Sequence, residues 1–130
     1  ILNNMTALSV NVNKFALIRN SRDTNHPDLF KICERILNLG VDGITVHPRP
    51  DERHTKFSDI EPIKNIVKKF KNAEFNIEGY PSESFIKKVI EIKPDQVTLV
   101  PDPPDVLTSS FGWDCSTHRE FLYNIVKIFQ

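Results

Sequence analysis

Several features are scarce or missing in these 130 residues, and each absence removes a class of function. Cysteine is nearly absent. Cys33 and Cys115 are the only two, too few for a disulfide scaffold. Cys33 falls on the apolar stripe of a predicted helix and reads as a buried free thiol, and this usage fits a reducing cytoplasm. No charge predominates: Lys+Arg and Asp+Glu stand at 17 each, which leaves no global field to draw nucleic acid or an anionic membrane surface. No apolar run approaches the roughly 20 residues that span a bilayer. The opening Ile1-Leu2-Asn3-Asn4-Met5 lacks the basic-then-apolar pattern of a signal peptide, and Met5 is a candidate natural initiator. There is no G-x-G-x-x-G and no Walker loop, so nothing supports a nucleotide cofactor. No linker or low-complexity tract divides the chain, which reads as a single domain over residues 1–130.

What is present has ordinary globular composition, 39% hydrophobic and 26% charged, enough for one modest domain with a core. Leu8, Val10 and Val12 alternate with Ser9, Asn11 and Asn13, the period of a strand. A basic loop with Lys14, Arg19 and Arg22 is expected next. Pro27 and Asp28 then suit the start of a helix with Leu29, Ile32, Cys33, Ile36 and Leu37 on one face, closed by Gly40. Ile44-Thr45-Val46 is a second strand. Ser58 and Glu61 have capping-box spacing ahead of a stripe of Ile60, Ile63, Ile66, Val67 and Phe70. Phe75 to Glu78 forms a third strand, halted at Gly79 and Pro81. Ser82 caps a helix carrying Phe85, Ile86, Val89 and Ile90, which ends at Pro94. Gln96 to Val100 is a fourth strand, followed by a proline-rich loop through Thr108 and Gly112 and a last helix with Phe121, Leu122, Ile125, Val126 and Phe129. The order β-α-β-α-β-α-β-α, without hairpin signals, implies parallel neighbours and right-handed crossovers. An open sheet covered on both faces and half of a (β/α)₈ barrel both satisfy it; length alone favours the open sheet.

The densest chemistry lies between Gly40 and His54. A β-branched strand opens there into a loop holding His47, Arg49, Asp51, Glu52, Arg53 and His54, with Pro48 and Pro50 forbidding helix. Polar groups also stand at or past the other strand ends: Asn11 and Asn13, Glu78, and Thr108. Parallel strands bring such groups to one rim, where His, Glu, Arg and Asn make an acid–base and anion-binding set. A carboxylate ending an apolar strand has its pKa raised by desolvation, which suits Glu78 to proton transfer; an ion pair with an arginine is the other reading. For His47 the alternative is a structural, backbone-bonded ring. For His54, Arg22 and Arg49 it is a solvated surface position. Guanidinium groups match phosphate because they offer fixed, bidentate donors. A zinc site from His47, His54 and Glu78 is a minor reading, because no compact His-x-His or His-Glu-x-x-His signature is present.

Ser9-Val10-Asn11-Val12-Asn13-Lys14 with Arg19-Asn20-Ser21-Arg22, Asp42 to Arg49 with Arg53-His54, Asn76-Ile77-Glu78, and Lys93-Pro94 with Leu99-Val100-Pro101 occur together and in order. As a set they resemble the pyridoxine 5′-phosphate synthase family. The resemblance covers nearly the whole chain. It implies an α/β, (β/α)₈ TIM barrel of parallel strands, of which this chain holds about the first four βα units. It implies condensation of 3-amino-2-oxopropyl phosphate with 1-deoxy-D-xylulose 5-phosphate to pyridoxine 5′-phosphate, a step of vitamin B6 synthesis. By the same resemblance His47 is a catalytic base and Glu78 a second acid/base group. Asn11 and Arg22 contact the amino-ketone phosphate, and Asn13, Lys14, Arg49, His54 and Thr108 contact the deoxyxylulose phosphate. Many members carry Asp-His where this chain has Asn13-Lys14, which removes a carboxylate and an imidazole from that pair.

The partners implied are these two small phosphorylated substrates, with no nucleic acid or membrane, no metal or redox cofactor, and a homo-oligomer in the full-length family. The chain is expected to be the N-terminal half of the enzyme, a truncated or partial gene product. Its uncovered inner face and unpaired strand edges are expected to be an aggregation hazard. Two further readings remain: a non-catalytic half-barrel that binds phosphate or dimerises, and a different phosphosugar-handling barrel.

Overall fold

A computed structural model describes residues 6–22, 24–102 and 111–130; Met5 and Thr108 lie outside these. Four strands, β1 (Ser9–Asn11), β2 (Gly43–Val46), β3 (Glu74–Gly79) and β4 (Gln96–Leu99), form one parallel sheet in the order β1-β2-β3-β4. Five helices accompany them: α1 (Asn13–Asn20), α2 (Leu29–Asn38), α3 (Phe57–Val67), α4 (Glu83–Ile92) and α5 (Arg119–Phe129). The sequential order decides between the two architectures. Right-handed crossovers that always step to the next strand in the same direction put every crossover helix on the same face, as in a barrel. An open, doubly covered sheet needs a reversal of strand order, and these four strands have none.

Strand alternation fits that arrangement. Ile44, Val46, Phe75 and Ile77 are buried together with Leu29, Cys33 and Leu37 of α2, Ile60, Ile63, Ile66 and Val67 of α3, and Phe85 and Val89 of α4. The intervening residues Ser9, Asn11, Thr45, Asn76, Glu78 and Thr98 share the other face. They are laced across the sheet. Ser9 Oγ lies 2.8 Å from Thr45 Oγ1, Asn76 Nδ2 donates to Thr45 Oγ1 at 3.2 Å, and Thr98 Oγ1 donates to Asn76 Oδ1 at 3.1 Å. The open face is therefore polar and internally hydrogen-bonded, so the expected aggregation hazard does not lie there. Exposed apolar side chains include Phe121, Tyr123, Val126 and Ile128 of α5 and Phe15, Leu17 and Ile18 of α1, with Leu8, Leu39 and Phe111 in connecting segments.

Several helix ends follow from local chemistry. Asp28 caps α2 through Phe30 N and Lys31 N, Gly40 takes the left-handed turn after it at φ 87°, and Ser82 caps α4 through Phe85 N. Other expectations need correcting. The basic loop after β1 is an eight-residue helix, α1, and β1 is correspondingly short. The N-cap residue Val12 has no capping side chain, and only Asn13, Ala16 and Arg19 are buried along α1, so it carries little apolar periodicity. Helix α3 starts at Phe57, one residue earlier than Ser58. Its first turn is closed by the Asp59 carboxylate accepting from Lys56 N at 2.8 Å, while Ser58 and Glu61 are exposed. On α5 only Ile125 is buried; Phe121 and Val126 of the expected stripe face outward.

Asp59 has a second duty. Its two oxygens receive Arg19 Nη1 at 2.9 Å and Nη2 at 2.8 Å, both side chains being buried, and this pair pins α1 to α3. Replacing Asp59 by Ala leaves the buried guanidinium without its counter-charge and Lys56 N without its acceptor. A loss of about 3 kcal/mol or more is expected in urea unfolding at pH 7. Ser58→Ala, at the exposed neighbour, should change stability by less than about 0.5 kcal/mol.

Candidate active site

The site is built from the turn that leaves β1. Asn11 ends the strand and Asn13 opens α1, and their side chains divide the work. Asn11 Oδ1 accepts from Asn13 N at 2.9 Å, which turns its amide nitrogen toward Glu78 Oε2, 3.1 Å away. Asn13 is buried. Its Oδ1 accepts from His47 N and from Thr55 Oγ1, each at 2.9 Å. Glu78 and His47, 31 positions apart in the sequence, are thereby tied to the three-residue turn Asn11-Val12-Asn13 between β1 and α1. Asn20, at the other end of α1, donates its Nδ2 to the carbonyls of Glu52, Arg53 and His54, the closest at 2.6 Å. The loop after β2 is thus held at both ends by α1.

The environments of the two ionisable groups differ. Burial pushes the His47 imidazole down to about 4, helped by the positive charges of Arg49 and His54 and opposed by Asp102 and Asp51. At neutral pH the ring is an uncharged base. Burial raises the Glu78 carboxyl above its ordinary value, and the hydrogen bond from Asn11 partly offsets this. No arginine pairs with Glu78 among the described residues. A neutral imidazole and a carboxyl that keeps its proton to higher pH are the two halves of an acid–base pair. His54 is also lowered, by burial first and then by Arg53, Lys14 and Arg49. Lys14 is exposed but close enough for its charge to reach His54, and Arg49 is buried beside Asp51 with Nε 3.9 Å from Oδ1.

The structure therefore gathers Asn11, Asn13, Lys14, His47, Arg49, His54 and Glu78 around the ends of β1, β2 and β3. Arg22 lines a separate open groove with Arg19, Lys56 and Ser58. Among the described residues no group of three or more His, Cys, Asp and Glu is placed to hold a metal ion. No helix is long and apolar enough to cross a membrane, again among the described residues. Thr55, Asn20 and Asp102 escaped the reading of the sequence. Thr55 and Asn20 act through long-range hydrogen bonds that leave no pattern in the sequence, whereas Asp102 stands shortly after β4 as His47 stands after β2, and that position was a usable signal.

Fold and site together define an α/β barrel-type chain with an acid–base cluster at the C-terminal ends of its strands. Comparison with known proteins makes this specific. Residues 8–130 match the family model described as pyridoxal phosphate biosynthesis protein PdxJ, and the chain belongs to that family. Proteins named pyridoxine 5′-phosphate synthase from Cytophaga hutchinsonii and Flavobacterium johnsoniae are 54% and 51% identical to it over 129 and 126 residues. Each alignment covers 97% of this chain, and 51% and 52% of the relative respectively. The relative of that name from Porphyromonas gingivalis is 52% identical over 128 residues, covering 96% of this chain and 51% of its own length. The chain thus spans about half the length of the curated relatives it matches.

The depressed imidazole makes a pH prediction. As pH falls, the unfolded ring, with its ordinary value near 6.5, takes up a proton before the native ring does. Stability is then lost between pH 6.5 and about 4. His47→Gln should flatten this loss by on the order of 1–2 kcal/mol, allowing for solvent screening of a half-buried ring. Urea unfolding of parent and variant at pH 7 and pH 4.5, read as a difference, cancels the opposing contribution of Glu78 and the parallel one of His54.

Proposed function

We propose that this chain supplies the His47–Glu78 part of a pyridoxine 5′-phosphate synthase. The reaction joins 3-amino-2-oxopropyl phosphate to 1-deoxy-D-xylulose 5-phosphate. The single observation that carries the proposal is the Asn11–Asn13 step, which holds an uncharged imidazole and a raised carboxyl on the same rim. An amine adds to a ketone, water and phosphate depart, and a ring closes and aromatises. Every stage moves a proton, so two groups that can each give and take one serve as base and acid in turn. His47 takes the base role and Glu78 the alternating one. Two phosphorylated substrates require separate cationic anchors to hold them in register. Arg49, His54 and Lys14, with Asn13 and Thr108, are assigned to the deoxyxylulose phosphate, and Asn11 to the amino-ketone phosphate; Arg22, in its separate groove, is assigned to that phosphate by the family resemblance alone. Asn13 Nδ2 remains for substrate, because its oxygen already serves His47 and Thr55. The reaction is assigned to the cytoplasm, and the remaining barrel strands to a complementing segment of about equal length.

One observation favours a second reading, a non-catalytic phosphate-binding half-barrel: the uncovered sheet face satisfies its own hydrogen bonds and does not demand a partner. The two readings separate in one experiment. Purified chain with both substrates should form no pyridoxine 5′-phosphate, and addition of the C-terminal half of a relative should restore turnover. In the restored enzyme, Glu78→Gln and His47→Gln should each lower kcat by roughly 10²–10⁴-fold. Phosphate binding with no turnover after complementation supports the module. A Glu78→Gln enzyme of full rate overturns the proton-transfer assignment.

A further inference from the structure

Beside His47 lies a small pocket of about 30 Å³, with His47, Arg49, Gly79, Ser84, Phe85 and Asp102 in its wall. Asp102 reaches it from the end of β4, the one strand whose expected site residue, Thr108, lies outside the described residues. Among the described residues the buried Asp102 Oδ2 meets no hydrogen-bond partner, which is rare for a carboxylate oxygen and marks a group held ready for a donor. The charged groups whose fields reach His47 are Arg49, His54, Asp51 and Asp102. Two are cationic or become so on protonation, and only the two acids can stabilise a protonated ring. Asp51 is committed elsewhere: it is exposed, and its carboxylate takes Arg53 Nε at 2.6 Å and Arg53 N at 3.2 Å. That leaves Asp102.

We propose that Asp102 is the positioning carboxylate of His47, facing the imidazole across this cavity and balancing its charge when the ring takes a proton. The arrangement gives the buried base a local counter-ion that Arg49 and His54 would otherwise deny it. It also biases which ring nitrogen carries the hydrogen in the neutral form, and so which one faces substrate. Asp102 acts through His47 and is assigned no contact with substrate. The inference deepens the acid–base reading of His47 and rests on it, but its test needs no turnover, so either can fail while the other stands.

The measurement is the ¹⁵N resonances of the His47 ring in the 130-residue chain between pH 8 and pH 3. In Asp102→Asn the proton affinity of His47 should fall at least about threefold, half a pH unit or more. The neutral ring should pass from one tautomer to a mixture. Asp102→Glu, which keeps the charge, should titrate like the parent. An Asn variant with the parent's midpoint or a higher one overturns the proposal, as does a Glu variant that falls as far as the Asn variant. Should Asp102→Asn lose the native circular dichroism, Asp102→Ser is read in its place with the same two outcomes.

Discussion

One side-chain carbonyl carries more of this structure than its size suggests. Asn13 Oδ1 is buried and accepts two hydrogen bonds, from the backbone of His47 and from the hydroxyl of Thr55, itself fully buried. The Thr55 hydroxyl cannot turn to water, so removing the oxygen would strand it at a desolvation cost of about 1–3 kcal/mol and would also release the half-buried His47 N–H. The two bonds bracket the loop from His47 to Thr55 and fix the place where β2 gives way to it. Through Asn11 the same step reaches Glu78. Position, then, is set here by neutral amides rather than by ion pairs. An aspartate at position 13 would accept the same two bonds and add a negative charge beside His47. With asparagine, the fields of Arg49 and His54 act on the ring less opposed, and the low imidazole value follows in part from that choice.

The sheet divides the molecule by polarity. In most barrels of this type branched apolar side chains fill the interior in layers. Here the layer through Ser9, Thr45, Asn76 and Thr98 is a chain of hydroxyls and an amide, with Thr45 and Asn76 buried and each bonded to its neighbour. Cohesion must therefore come from the helical side, where Phe75, Ile77, Ile44 and Val46 meet α2, α3 and α4. That allocation explains how four strands can present an open face without presenting grease. It also explains why the outward apolar residues gather on α5, whose Phe121, Tyr123, Val126 and Ile128 have no comparable cover.

Elements with strong local chemistry were legible from residues alone. Helix α2 announced itself by Asp28, its stripe and Gly40, and α4 by Ser82 and Pro94, because caps and stops act within a few residues. Glu78 was legible as a carboxylate ending an apolar strand. Helix α1 was not, since its stability comes from Arg19 meeting Asp59, 40 positions away, and from Asn20 reaching the β2 loop. The start of α3 was misplaced for a related reason: Asp59 serves cap and ion pair at once, and the spacing of Ser58 and Glu61 imitates a capping box that does not form. Strand order, which separates a barrel arc from an open sheet, leaves no mark in one sequence at all. The resemblance to known barrels carried that choice, and the register of the sheet bears it out.

The charges around His47 also bear on how a phosphorylated ligand would act on the site. Arg49 and His54 are the two positive neighbours that lower the ring, after burial itself. An anion seated between them would offset both fields and so raise the ring's proton affinity, and by linkage a protonated ring would hold the anion more tightly. The shift of Glu78 has a different origin: burial, partly offset by Asn11, with no cationic neighbour contributing. Anion binding would therefore move the imidazole toward the carboxyl in proton affinity and narrow the gap between them. Two groups that exchange a proton during a reaction work best when neither holds it too firmly. Cations surround one partner and a neutral amide holds the other, so an anion seated between Arg49 and His54 acts on the imidazole by cancelling fields that Glu78 does not feel in the free chain.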